Sequence, residues 1–392
     1  MMEKVKLGDV FSLIRNGANI KQGMDDTGYP ITRIETISDR TVNREKMGYA
    51  GITDVSKYDD YILQDGDILM SHINSEKHLG KTAIYKKQDK EKIIHGMNLL
   101  CLRPEKSVIL PEYAFYFLSS VAFLRQIPNI TKKSVNQASF TVTALKELSF
   151  AKCNIDEQKK IIDELDKVTG LIDIRKMQLS KLDELVKARF VELFGQDLHR
   201  HSVNNLADIC TVFTDGDWIE SKDQSEEGIR LVQTGNVGNG VFKNKEGKMR
   251  FVSETTFVEL GCKEILPGDI LISRLPDPVG RACVVPDGLG KMITAVDCSI
   301  VRLNGIIMPQ FLVAYTMTEM YQTQIEAHVT GSTRKRISRK NLGDVLIPIP
   351  SMELQNEFAA FVEQTDKSKL EVQKSLEKLE FLKKALMQKY FG

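Results

Sequence analysis

A chain of 392 residues, 42% hydrophobic and 27% charged, has the composition of a folded protein of two or three domains, which excludes global disorder and fibrous repeats. Lys and Arg number 54 and Asp and Glu 53, so the net charge of +1 excludes a uniformly polybasic nucleic-acid coat while leaving room for a local basic patch. The few cysteines (positions 101, 153, 210, 262, 283 and 298) include no C-x-x-C pair, which speaks against a zinc ribbon and for a reducing, cytoplasmic setting. Met1-Met2-Glu3-Lys4-Val5-Lys6 lacks the apolar core of a secretory signal.

Taken in chain order, each landmark of the first half returns in the second. Leu7-Gly8-Asp9-Val10 is answered by Leu206-Ala207-Asp208-Ile209. The run Leu63 to Ser71 (LQDGDILMS) is answered by Ile265 to Ser273 (ILPGDILIS). In both, a Gly-Asp pair at 66–67 or 268–269 suits a turn entering a strand. Gly80-Lys81-Thr82-Ala83 matches Gly280-Arg281-Ala282-Cys283. Pro111-Glu112-Tyr113 matches Pro309-Gln310-Phe311, and each proline suits the first turn of a helix. The stretch 111–124 is too short and too polar to span a membrane, so it is expected to be one buried amphipathic helix, and no membrane partner is expected.

From 156 to 194, Ile161, Leu165, Val168, Ile172, Leu179, Leu182 and Val186 recur at alternating four- and three-residue steps, with Arg175 filling one slot. That is the spacing of a coiled-coil seam. From 353 to 391, Phe358, Val362, Val372, Leu376, Leu379 and Leu386 keep the phase, with Thr365 and Lys369 interrupting it. Both helices close on Phe-Gly, at 194–195 and 391–392. The two seams are expected to pack on each other. The segments 1–150 and 200–350 mix short β-branched runs with Gly, Asp and Asn breaks and are expected to be strands, loops and a few helices. The expected plan is therefore α+β. Domains at 1–150 and 200–350 are separated by long antiparallel helices at 151–199 and 351–392.

Catalytic motifs do not assemble in this sequence. Gly80-Lys81-Thr82 ends like a phosphate-binding loop, but Ser75 stands where its first glycine belongs. No Asn/Asp-Pro-Pro-aromatic motif for a flipped adenine occurs; Pro276-Asp277-Pro278 has the wrong order. Glu246-Gly247-Lys248 resembles one end of a nuclease motif, but such triplets are common in charged chains. Gly235 to Gly240 is glycine-rich but leads into no helical pattern, so a loop and hairpin are expected.

Nucleic-acid contacts have better candidates. His328 to Lys340 (HVTGSTRKRISRK) brings Arg334, Lys335, Arg336, Arg339 and Lys340 together with no acid among them, and Ser332 and Thr333 add hydroxyls suited to phosphates. The first half places Lys132, Lys133, Asn136 and Gln137 in the corresponding loop; Asn and Gln can pair bidentately with adenine. Gln233, Thr234 and Asn236 follow an apolar run whose first-half counterpart contains Arg33. Ser71, His72 and Asn74 follow one Gly-Asp strand and Arg274 the other. All are candidate DNA contacts. No catalytic or metal-ligating residue is proposed.

The duplicated Gly-Asp-Ile-Leu-x-Ser strands, Leu346-Ile347-Pro348-Ile349-Pro350 leading to Gln355, and the two Phe-Gly-ended helices resemble the specificity subunit of a type I restriction-modification system along the whole chain. The first half departs from that pattern with Phe150-Ala151-Lys152-Cys153 in place of Ile347-Pro348-Ile349-Pro350. The resemblance implies two target-recognition domains, each reading one half of a split double-stranded DNA site. It also implies helices that act as a ruler and dock two adenine-N6 methyltransferase subunits, with restriction subunits as further members. The chain itself would not be an enzyme, and S-adenosylmethionine, ATP and magnesium would be held only by partner subunits. Rival readings are a stand-alone methyltransferase or nuclease with degenerate motifs, or a coiled-coil protein scaffold.

Overall fold

The computed structural model describes residues 2–22, 27–37, 41–134, 137–195, 198–331 and 334–392. The chain forms two compact units, residues 1–176 with 374–392, and residues 177–373. Each takes part of both long helices.

The first unit is built on a four-stranded antiparallel sheet in the order Phe11–Asn16, Leu99–Pro104, Ile68–Ser71, Thr82–Ile84. The second repeats it with Cys210–Asp215, Cys298–Leu303, Ile270–Ser273 and Ala282–Val284 in the same order. A register shift falls at the same place in both, between Phe11 and Leu13 and between Cys210 and Val212. A two-stranded antiparallel ribbon stands beside each sheet, Glu3–Lys6 with Ser149–Lys152 and Val203–Asn205 with Leu346–Pro348. The domain border expected at 150 therefore runs through a strand.

The Gly-Asp pairs do what their composition predicts. Gly66 and Gly268 sit at φ 89° and 87°, a left-handed conformation that favours glycine. The buried carboxylates of Asp67 and Asp269 accept from the backbone N–H of Gln64 and Leu266, each at 2.7 Å, closing the turn. Each also takes two hydrogen bonds at 2.8 Å from an arginine on the neighbouring strand, Arg103 on Asp67 and Arg302 on Asp269.

Pro111 and Pro309 begin the helices Pro111–Leu118 and Pro309–Tyr315, where a missing N–H costs nothing. The single helix expected over 111–124 is instead two. Ser120 is extended at φ −73° and ψ 154°, and its hydroxyl caps the N–H of Phe123, starting a separate turn at Val121–Leu124.

The long helices run Ile155–Phe194 and Met352–Phe391. In the first unit Glu164 meets Tyr390, and Arg175 donates to Ser375 at 3.1 Å. In the second, Lys369 meets Asp183 at 2.8 Å and Arg189 pairs with Glu357. Rising numbers on one helix face falling numbers on the other, so the pairing in each unit is antiparallel. The interrupting residues stay in the seam: Thr365 is buried and returns its hydroxyl to the Phe361 carbonyl at 2.8 Å, while Lys369 is neutralised by Asp183 and Asp366.

Gln158 and Gln355, both fully buried near the helix starts, tie each helix to its domain. Gln158 Oε1 accepts from Leu110 N–H at 2.8 Å, and its Nε2 donates to the Val108 and Cys153 carbonyls. Gln355 makes the same three bonds, to Met308 N–H at 2.7 Å and to the Ile306 and Pro350 carbonyls. The Phe-Gly helix ends are core plugs. Phe391 enters the first core, 5.4 Å from Tyr113 between ring centroids, and Phe194 enters the second, 4.9 Å from Phe311.

Outside this shared frame the units differ. The second carries an extra four-stranded sheet, Phe251–Val252, Ile229–Val232, Met292–Thr294 and Glu264–Ile265. Among the described residues the first has isolated bridges there, Ile31 to Gly48 and Ile94, and Ile62 to Ile94. The first in turn has a small sheet of Ile73–Asn74, Ala138–Ser139 and Lys132–Lys133, where the described residues of the second show a bridge from Thr330 to Arg336.

Candidate nucleic-acid interface

The sequence-derived candidates fall into two clusters in each unit, one around the hairpin that follows the short helices and one around a tight turn. Asn136, Ser332 and Thr333 lie outside the described residues.

In the hairpin cluster of the first unit, Lys132 and Lys133 lie exposed on a strand whose partner is Ala138–Ser139. Lys133 pairs with Glu76 at 3.1 Å. The exposed Gln137 closes the hairpin through its carbonyl, which accepts from both Ser134 N–H and Ser134 Oγ at 2.8 Å. Asn74 is half-buried and is spent locally, accepting from Ser75 N–H at 2.7 Å and donating to Ser71 Oγ.

Three candidates are not on the surface. Ser71, His72 and Arg274 are 2%, 6% and 3% exposed. Ser71 and its counterpart Ser273 pair through their backbones with Lys81 and Gly80 and with Arg281 and Gly280, so they end a strand. His72 packs edge-on to Phe140, and burial pushes its imidazole down to about 4, so it is neutral at ordinary pH. Arg274 donates to the Val296 carbonyl at 2.5 Å and sits 3.3 Å from Asp215. Their polarity suggested exposed readers, but strand ends folded under a hairpin are interior positions. These side chains shape the site from below.

The second hairpin is more than a solvated basic loop. Thr330 and Arg336 exchange both backbone hydrogen bonds at 2.9 Å, fixing its base. Arg334 and Arg336 each reach Asp297 at 3.2 Å, one to each carboxylate oxygen, and remain 71% and 43% exposed. Lys335 is exposed, and so is Arg339, which opens the helix Arg339–Gly343 behind the cap Ser338. Asp297 and Asp215 were not visible as partners in the sequence; Arg334 and Asp297 are 37 positions apart and no motif joins them.

In the turn cluster, Arg33 N–H donates to Thr36 Oγ1 at 2.8 Å, and Gln233 N–H donates to Asn236 Oδ1 at 2.9 Å. The returning chain is tied alike, Asn43 N–H to the Thr36 carbonyl and Lys243 N–H to the Asn236 carbonyl. Arg33 is held by Gln22 and, with Glu35, Glu45, Lys46 and Met47, lines a surface cleft. Asn236 also donates to the Lys243 carbonyl at 2.9 Å, so its amide is structural and not free to read a base. Thr234 contributes its carbonyl to Arg281. That arginine, 7% exposed, spreads its guanidinium over the carbonyls of Thr234, Val237, Leu275 and Pro278. Gly280-Arg281 was legible only as a repeat landmark; its role as a staple between two loops was not.

Among the described residues no three His, Cys, Asp or Glu side chains gather so as to hold a metal ion, and no helix is long and apolar enough to cross a membrane.

A family model described as the type I restriction modification DNA specificity domain matches residues 1–184 and again 202–380. The putative type I restriction enzyme MjaX specificity subunit of Methanocaldococcus jannaschii is 33% identical over 97% of this chain and 91% of its own length. The EcoBI specificity subunit of Escherichia coli is 21% identical over 71% of this chain and 64% of its own. Among solved structures, the S subunit of a type I restriction-modification system from M. genitalium superposes with a TM-score of 0.59 at 14% identity, covering 100% of this chain and 96% of that one. A chain from a study of assembly and conformational transition in the type I R-M system gives 0.54 at 18% identity, covering 100% and 97%. Those structures share the fold; the twice-matched family model and the archaeal relative carry the assignment. The chain belongs to the specificity subunits of type I restriction-modification systems, with two DNA specificity domains in tandem.

Proposed function

We propose that each unit reads one half of a bipartite double-stranded DNA site, and that the long helices carry two adenine-N6 methyltransferase subunits, with restriction subunits as further members of the assembly. The observation that carries this reading is the contrast within the chain. Contacts that build the frame are duplicated bond for bond: Asp67–Arg103 with Asp269–Arg302, Gln158 with Gln355, Phe391 with Phe194. The exposed hairpins and turns differ in sequence, charge and strand content. One scaffold bearing two unlike polar faces suits two unlike half-sites.

In this reading the methyl donor S-adenosylmethionine, ATP and magnesium belong to the partners, and the complex works in the cytoplasm. Phosphate contacts are shared with those partners, which reconciles DNA binding with a net charge near zero. The test is to map methylated adenines across the genome in cells with and without this chain. Methylation at one two-part motif should vanish when the chain is removed. An unchanged methylation map would overturn the proposal.

A further inference from the structure

We propose that Asp297 is a positioning residue for base recognition: it holds the guanidiniums of Arg336 and Arg334 so that the second unit reads a guanine in its half-site. The inference rests on the reading of this chain as a DNA-recognition subunit.

Asp297 sits at the turn just before the strand Cys298–Leu303, and its carbonyl accepts from Arg274 N–H at 2.9 Å. It is thus fixed to the central sheet. Its two carboxylate oxygens are divided between two arginines, and in the described contacts each arginine is engaged through one terminal nitrogen. Behind them, the buried Arg274 faces Asp215. Three guanidiniums stand against two carboxylates, which leaves a net positive site facing solvent.

Arginine can meet a phosphate and a guanine edge alike with two N–H donors, but only the base edge requires the fork to lie in the plane of one base pair. Bidentate pairing with the O6 and N7 of guanine needs a guanidinium held in one plane. Arg336 is part of the way to that state. Its backbone is locked on both sides by Thr330, the next residue is tied to the sheet through Ile337 N–H to the Arg274 carbonyl at 3.3 Å, and its side-chain tip is pinned by Asp297. Yet 43% of the side chain is open. Part of the ordering cost is met before DNA arrives.

The first unit supplies the internal control. The hairpin closes onto the frame identically there, with Phe140 N–H on the His72 carbonyl at 3.2 Å. The places of Arg274, Asp215, Asp297 and Arg336 are taken by His72, Asn16, Asn98 and Ser139. None of these carries a charge at neutral pH, His72 being held neutral by burial. The fold therefore does not require the Arg–Asp network. It is a property of one surface, and so of one half-site.

The experiment uses the complete methyltransferase complex and a duplex panel in which each base pair of the recognised site is varied in turn. Arg336→Lys keeps the charge and loses the fork; Asp297→Asn keeps the shape and loses the counter-charge. Both should lose discrimination at one guanine-containing pair of a single half-site, by about 5- to 150-fold, leaving the other half-site unchanged. Thermal melting identifies any variant that has not folded, and Asp297→Ser, which also removes the counter-charge, serves if Asp297→Asn does not fold. If a folded Asp297 variant keeps the wild-type base preference, or if Arg336→Lys keeps it, the proposal is overturned. It is equally overturned if Arg336→Ala weakens every duplex alike with a salt slope lowered by about one, the mark of a phosphate contact. A wild-type complex with no sequence preference would instead sink the underlying reading of the chain.

Discussion

At the scale of single residues, the two units should respond differently to acid. His72 and His95 are both buried in the first unit, and each has an Nδ1 without a hydrogen-bond partner. Burial depresses both imidazoles to about 4, and for His95 the Leu99 carbonyl at Nε2 offsets only part of that. A histidine unfolds to a pKa near 6.5, so between about 6.5 and 4 the unfolded chain binds protons that the folded unit refuses. The stability that rests on the neutral rings is complete above that window and drains away as pH falls through it, by at most about 3 kcal/mol per histidine. Among the described residues of the second unit no histidine is buried. Residue-resolved unfolding from about pH 7.5 to about pH 4.5 should show the first unit losing more stability than the second, and His72→Leu should flatten its pH slope. Equal slopes in the two units, unaffected by the substitution, would contradict this. Nothing in the sequence marked these histidines as buried. A histidine after a strand is as compatible with a surface loop as with an interior, and only the hairpin folding over it decides.

Among the elements, the long helices were the most legible feature, and the reason is physical. Apolar residues at four- and three-residue steps can face one partner only as a helix, so Ile161, Leu165, Val168 and Ile172 announce both the element and its buried side. The expected starts at 156 and 353 fall one residue inside the observed helices. What periodicity could not show was the break at Ser119-Ser120, because serine, though favoured at caps, is also tolerated inside helices. Nor could it show where the terminal aromatics go. Phe194 and Phe391 each finish one helix, but the first plugs the second unit's core and the last plugs the first unit's. Phe391→Ala should therefore cost about 3–5 kcal/mol in the first unit alone, and Phe194→Ala a similar amount in the second. Hydrogen exchange read separately over 1–176 and 177–373 checks this; a loss spread evenly over both by either variant would show that the plugs are not local.

Over the whole molecule, the duplication makes exchange of recognition surfaces the most telling experiment, and the structure says where to cut. A junction at 150 would sever the ribbon of Glu3–Lys6 with Ser149–Lys152, so the donor segment should run through Lys152 and rejoin at Cys153. The donor must keep an aromatic pair at positions 113 and 117, which receive Phe391 from the recipient, and a free backbone N–H at 110 for the recipient's Gln158. With those contacts met, the incoming surface sits on an unchanged frame. The hairpin and turn clusters of the second unit lie wholly within 177–373 and share no residue with the exchanged segment. Sites without shared partners contribute additively, within about 0.5 kcal/mol. Replacing residues 1–152 by the equivalent domain of a relative with another specificity should therefore give a methylated motif in which one half is new and the other is kept base for base. Discrimination against single mismatches in the retained half should stay within about two- to threefold of the parent complex. Sequencing methylated adenines from cells carrying the chimaera reads both halves at once. A motif altered in both halves would mean that the units do not read independently, and that the duplicated frame serves assembly of one composite site.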